Sequence, residues 1–440
     1  MGLAHPSRAG DAVIVRWLVL GLLAAGSAAL RALAPAPGPG IELLSLGLIL
    51  LAGLLAGDLA ERLRLPRVTG YLAVGMGLGP SLFGIVPAVD VARLRPFEEI
   101  ALGLIALTAG GEFSTRIIRS RWKLLAAVTA THAAVIAAVV GGIVWVALGR
   151  FPLLGPLGEG GRNAVALLVG VVAVAVSPAT TIAVITETRA RGDLVDGVLG
   201  ITILKDLVLL LLFSVASGLA LGWTGGHAAG GLGGLAVHVG LSLAAGAALG
   251  VGLGAYMRWV GRHTELLVVA LALLATEIGS GAALEPLLLC MAAGFTARNL
   301  FPSAAEPFLH ALERASPPLY IVFFALVGAG LPLDVLLAVG PAALGLAALR
   351  LLVVVAATWL PAAAVGGPRV FRRYGWTGFV AQAGLSLGLA ARIETDMPGF
   401  GRVLSTLIIG TIVINQLAGP VLWRWGLAAA GETGAAAPEA

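Results

Sequence analysis

The stretch VSPATTIAVITETRARGDLVDGVLGITILKD, residues 176–206, sets two oddities into an apolar sequence: a Ser177-Pro178 pair and an adjacent Lys205-Asp206 pair. It is flanked by AVALLVG (164–170) and LVLLLLFSV (207–215), so both pairs lie inside runs long enough to cross a bilayer, which takes about 20 mostly apolar residues. Lipid offers no partner to unpaired backbone groups, so such runs must be helices. A proline inside one removes an amide donor and clashes with the preceding turn. At membrane depth that is tolerated where the freed groups are buried in protein or line a cavity. The stretch therefore predicts a broken helix followed by a helix with charges at its middle.

The whole chain has the same character. Its 440 residues are 59% hydrophobic and 12% charged, with mean hydropathy +0.99, whereas a soluble domain carries roughly 25% charged residues. An all-α polytopic membrane protein is predicted, embedded in the lipid bilayer and without a sizeable soluble domain. Hydropathy with Pro, Gly and charge punctuation gives about 13–14 transmembrane helices, near 13–33, 41–57, 67–87, 98–115, 123–148, 163–187, 194–218, 233–257, 264–280, 282–297, 316–331, 335–363, 374–393 and 400–426. The 62 glycines suit close helix approach, and Gly246, Gly250 and Gly254 share one helix at that spacing. Cys290 stands alone in an apolar segment, so neither a disulfide framework nor a thiolate metal cluster is expected. His132 and His238 are isolated in apolar spans and are read as packing or hydrogen-bonding residues. With no HExxH or GxSxG pattern read in it and no nucleophile–base set, an enzyme is not expected, nor is a cofactor.

The formal charge of +5 is read as topology and not as nucleic-acid binding, because Arg and Lys are retained on the cytoplasmic side. Arg62, Arg64 and Arg67; Arg116, Arg119, Arg121 and Lys123; Arg189 and Arg191; Arg258 and Arg262; Arg298 and Arg314; Arg369, Arg372 and Arg373; and Arg424 fall in alternate loops, which assigns those loops and the C-terminus to the cytoplasm, with Arg93, Arg95, Arg150 and Arg162 as exceptions. Residues 1–40 are read as an extra N-terminal helix or signal-like segment plus linker, 41–218 as a first inverted repeat and 219–263 as a linker helix. Residues 264–426 form the second repeat and 427–440 a short cytoplasmic tail.

Three charges lie too deep to reach an interface: Lys205 and Asp206 in the span 194–218, and Arg350 in AALGLAALRLLVVVAATWLP (342–361). Each costs about 2.5–3.5 kcal/mol at the bilayer midplane, roughly 8–10 together, unless it faces a partner or water. A structural salt bridge between Asp206 and Arg350 is one way to meet that cost; an ion or proton path is the other. Thr202 lies one helical turn before Asp206 and shares its face. A carboxylate beside a hydroxyl can hold either a proton or a small desolvated cation, since oxygens suit hard cations. Competition between the two for one site is the core of an antiport mechanism. Further oxygens are offered by Ser177, Thr180 and Thr181 beside the Pro178 break.

The second half matches. WTGFVAQAGLSLGLAARIE (376–394) is weakened at its middle by Gln382, Gly384, Ser386 and Gly388, and the span after it carries Asn415 and Gln416 where the first half has Lys205 and Asp206. Paired interruptions in corresponding places of two halves point to a transporter site at the midplane. Glu112 is read as an interfacial cap and Glu277 as a candidate for an entry funnel.

On these residues the chain resembles the monovalent cation/proton antiporter superfamily, which includes the bacterial sodium/proton and potassium/proton exchangers. VTGYLAVGMGLGPSLFGIVP (68–87), IALGLIALTAGGEF (100–113), LEPLLLCMAAGFTARN (284–299) and the 176–206 stretch are similar to its Gly-rich, small-residue, broken and ion-site helices. The resemblance implies two inverted repeats with crossing discontinuous helices, a homodimer in the bacterial inner membrane, and exchange of a monovalent cation for protons. Asp206 matches the cation and proton carboxylate, binding a monovalent cation and no other metal. Arg350 matches a basic residue of a core helix, and Thr180 and Thr181 match the unwound stretch. Lys205 departs from the pattern, which has an acidic residue, Asn or Gln there. Lys205 and Arg350 are expected to tune the charge at Asp206. The alternative is a cation-coupled symporter of an organic anion, with the two basic groups holding the substrate.

Overall fold

The computed structural model describes residues 41–434 except 114, 151–156, 226–231, most of 261–283, and 398, together with a few positions before residue 41. Most of the expected spans at 13–33 and 264–280, with Glu277 and the side chain of His238, lies outside the described residues. In chain order the helices are α1 (Ile41–Arg62), α2 (Arg67–Leu78), α3 (Ala88–Arg93), α4 (Arg95–Glu112), α5 (Thr115–Thr131), α6 (Ala137–Arg150), α7 (Glu159–Ala173), α8 (Pro178–Thr188), α9 (Asp193–Trp223) and α10 (Leu232–Trp259). Then follow α11 (Pro286–Leu300), α12 (Pro302–Ala329), α13 (Leu333–Ala364), α14 (Arg369–Tyr374), α15 (Gly384–Asp396) and α16 (Gly401–Ala430). A π-helical turn, His132–Ile136, joins α5 to α6, and a 3-10 turn, Gly375–Phe379, follows α14.

Among the described residues the structure is all-helical, and seven stretches are long and apolar enough to cross a membrane: Glu42–Arg62, Ile118–Arg150, Glu159–Thr188, Asp193–Trp223, Val239–Trp259, Val339–Ala364 and Gly401–Ala430. Shorter helices account for other expected spans. The span expected at 67–87 is helical only to Leu78, because Gly79 takes an extended conformation ahead of Pro80. The span expected at 316–331 is the end of a helix that begins at Pro302, so the Pro317-Pro318 pair does not start it.

The chain forms two compact units, residues 1–101 with 317–332 and residues 102–316 with 333–440. In the first, α1, α2 and the 317–329 stretch of α12 pack through Leu48, Ile49, Leu55, Leu78, Val322 and Leu326. Gly75 and Gly328 let backbones touch there: a Cβ on either would collide with the carbonyl of Ala325 or of Leu72. In the second, α10 lies against α11 through Gly246 and Gly250, the close approach that their spacing predicts. The remaining helices of this unit surround two breaks. Residues 174–177 interrupt α7 and α8, and residues 380–383 interrupt the 3-10 turn and α15. Each interrupted pair is followed by a long helix, α9 in one case and α16 in the other, so the helix–break–helix–long helix order occurs twice.

Candidate functional site

The first break follows from local chemistry. Pro178 sits at the first position of α8, where its missing amide N–H costs nothing, and Ser177 caps the helix by accepting from the Thr180 amide at 3.2 Å. The two breaks cross in contact: the Ser177 amide donates to Ala381 O at 2.9 Å, and Gln382 Nε2 donates to Val172 O at 3.1 Å. Helix α16 reaches both. Asn415 Nδ2 donates to Gln382 Oε1 at 2.8 Å, Gln416 Nε2 to Thr180 Oγ1 at 3.0 Å, and Trp423 Nε1 to Thr181 O at 3.1 Å. Thr181 Oγ1 lies 3.0 Å from Ser177 O and 3.3 Å from Gly378 O, and the Ser177 and Thr180 hydroxyls are 2.9 Å apart. The oxygens of Ser177, Thr180 and Thr181 thus hold the crossing together.

Arg350, on α13, fills the middle of the crossing. Its Nε donates to Ala173 O at 2.8 Å, Nη1 to Val380 O at 2.8 Å, and Nη2 to Ala175 O at 2.6 Å and Phe379 O at 3.0 Å. These are carbonyls at the ends of two interrupted helices, where the backbone leaves acceptors without partners and the helix dipole is negative. The guanidinium is 1% exposed and makes no ion pair with Asp206, so the salt bridge considered from sequence is absent.

Lys205 and Asp206 part company as their 100° separation on the helix requires. Lys205 Nζ is 2.9 Å from His132 Nδ1 and sits over the Phe379 ring, 5.2 Å from its centroid, and it forms no ion pair with Asp206. Asp206 is fully buried, and neither carboxylate oxygen has a hydrogen-bond partner among the described residues. The Thr202 hydroxyl, one turn earlier and equally buried, is also unpartnered, as are those of Ser386 on α15, Ser405 on α16 and Thr129 on α5. A naked carboxylate in a dry interior is among the most expensive groups a protein can carry. It persists where a proton or a cation takes the missing place.

Gly384 opens α15 and Gln382 lies in the break before it. Gly384-Leu385-Ser386-Leu387-Gly388 has the spacing of a hydrolase nucleophile elbow, which sequence reading passed over; here it forms the first turns of a helix and no strand precedes it. His132 is a hydrogen-bonding residue, as its sequence suggests, but its partner Lys205 is not legible there, because an imidazole in an apolar run gives no sign of a contact 73 residues away. One participant has no sign in the sequence at all. Glu432 closes the N-terminus of α9, its two oxygens accepting from the Leu194 and Val195 amides at 2.8 and 3.0 Å.

Residues 46–425 match the family described as sodium/hydrogen exchanger, transmembrane. Two solved structures share the fold, both of the sodium proton antiporter MjNhaP1 from Methanocaldococcus jannaschii. The electron-microscopy structure superposes with a TM-score of 0.73 at 19% identity, covering 91% of this chain and 100% of that one. The structure at pH 8 gives 0.67 at 18% identity, covering 89% and 97%.

Proposed function

The chain belongs to the sodium/hydrogen exchanger family, membrane transporters that exchange a cation for protons, and we propose that it works by alternating access with the Asp206 carboxylate as the shared seat of cation and proton. The observation that supports this reading is the fully buried carboxylate without a partner among the described residues, on the helix packed against two crossing interruptions. Thr202 Oγ1, on the same face, supplies a further oxygen to the cation, and the Ser386 hydroxyl is a third candidate ligand. Ser177, Thr180, Thr181, Gln382 and Gln416 keep the crossing in shape, and Arg350 neutralises the carbonyl ends that meet there. Cation and proton compete for the same two oxygens, so loading one expels the other.

With Asp206 as the one fully buried carboxylate left without a partner among the described residues, the exchange is one cation for one proton and electroneutral. Sodium heads the candidates, with potassium and lithium behind it. The organic-anion symporter is disfavoured because both of its intended cationic ligands have protein partners, Lys205 in His132 and Arg350 in four carbonyls. The protein acts as a homodimer in the bacterial inner membrane and contributes to pH homeostasis by moving protons against cations.

The test is proton flux in proteoliposomes carrying a trapped pH dye, evoked in turn by sodium, potassium and lithium, with and without an imposed membrane potential. Flux evoked by at least one cation and unchanged by the potential is the expected result. No flux with any of them overturns the exchange reading, and flux that scales with the potential overturns the one-for-one stoichiometry.

A further inference from the structure

His132 sits where a helix departs from its regular pitch. The π-helical turn His132–Ile136 inserts into the α5–α6 run, and such turns re-aim the side chains beside them. The imidazole is fully buried and both nitrogens are engaged, Nδ1 with Lys205 Nζ at 2.9 Å and Nε2 with Thr358 Oγ1 at 3.0 Å. The protons can be assigned from the third member. Thr358 has one hydroxyl hydrogen, and it goes to Val354 O at 2.7 Å. Thr358 Oγ1 can then only accept, so His132 carries its hydrogen on Nε2 and presents a bare Nδ1 lone pair to Lys205. The ring also stands edge-to-face on Phe379, with centroids 5.0 Å apart, and the same Phe379 ring faces the Lys205 amine.

Lys205 needs such a fixture. Its neighbour in sequence is an unpartnered carboxylate, its four-carbon stem is long enough to bend round the helix, and a buried interior makes opposite charges attract strongly. Left loose, the amine would close on Asp206 and occupy the place of a cation. We propose that His132 is a positioning residue for cation binding: it holds the Lys205 amine off Asp206 and so keeps the carboxylate open to the transported ion. The proposal rests on the exchange reading for the identity of that ion. The charged groups close to the pair are Asp206 on α9 and Arg350 on α13, already bound to four carbonyls; Glu285, at the start of α11, lies near Asp206 and not near the pair. The other helices packed on the π-turn carry their charges toward their far ends, at Arg116, Arg119, Arg121 and Lys123 on α5, Arg150 on α6, and Glu159 and Arg162 on α7.

The experiment compares wild type, His132→Ala, His132→Asn, Lys205→Asn and the double variant His132→Ala/Lys205→Asn, each first shown to be monodisperse in detergent. Sodium affinity is read from the sodium concentration that half-stabilises the purified protein against thermal unfolding, which does not depend on transport. Cation-evoked proton flux is read separately in proteoliposomes. His132→Ala is expected to weaken sodium binding by about tenfold or more near neutral pH, the size of effect that one close opposite charge exerts on a carboxylate. His132→Asn, whose amide oxygen can accept in place of Nδ1, should stay near wild type, and the double variant should return to the affinity of Lys205→Asn alone. If the double variant stays as weak as His132→Ala, or if His132→Ala binds sodium normally, the proposal is overturned. The expected binding pattern without proton flux in wild type would instead overturn the exchange reading and leave the role of His132 standing.

Discussion

Arg350 shows how a residue can be obvious in sequence and its purpose hidden. A guanidinium in the middle of an apolar run stands out by cost alone, as do Lys205 and Asp206 in a chain only 12% charged. Its partners do not, because all four are main-chain carbonyls, and a carbonyl leaves no mark on the amino-acid sequence. Arg350→Ala strands those acceptors in a buried crossing and should cost about 3–5 kcal/mol in thermal unfolding of the detergent-purified protein. Arg350→Lys should fall between, since an ammonium has three donors and no planar fork to span two breaks. If Arg350→Ala melted like wild type, the guanidinium would not be what holds the crossing. His132 is the reverse case: it is plain in the sequence, and only the π-turn and the tautomer fixed by Thr358 give it a role.

At the scale of elements, the breaks were legible and the surfaces that grip them were not. Ser177-Pro178 announces a helix start, and Gln382, Gly384 and Ser386 announce weakness, so both interruptions lie where local chemistry puts them. What the pattern cannot tell is that α16 lies against the second break closely enough for Gly419 to be obligatory, since a Cβ there would stand 2.5–2.7 Å from Cβ, Cα and N of Ala381. Gly419→Val should cost about 1–3 kcal/mol by overpacking, read from the same unfolding measurement. The cap on α9 is also non-local. Glu432 follows α16 yet serves the N-terminus of α9, so Glu432→Ala should cost about 1 kcal/mol, as the loss of a cap does. Burial holds the Glu432 carboxyl above its ordinary value, and the nearby Asp193 and Asp196 add to the rise, against the lowering by the two amide N–H groups. Folding therefore raises its hold on a proton. The stability linked to it is greatest below the ordinary carboxylate range and declines as pH rises through the raised folded value. Wild type should lose ground against Glu432→Gln over that window, and a difference that grew with pH would contradict the assignment.

For the whole molecule, composition settled the class, because no soluble fold tolerates so apolar a chain; the paired interruptions pointed to a transporter, and the particular fold came from the resemblance of segments such as 176–206 to a known family. The spans that sequence misjudged are the short ones, where Gly79 stops α2 early and Pro317 fails to start α12. The account as a whole depends on one carboxylate that no group among the described residues satisfies. Sodium-evoked proton flux in proteoliposomes, measured side by side for wild type and Asp206→Asn at equal reconstituted amounts, tests it most directly. The account predicts that the wild-type signal disappears in Asp206→Asn, whose amide can neither carry the proton nor match the cation's charge; exchange at the wild-type rate in that variant would contradict it.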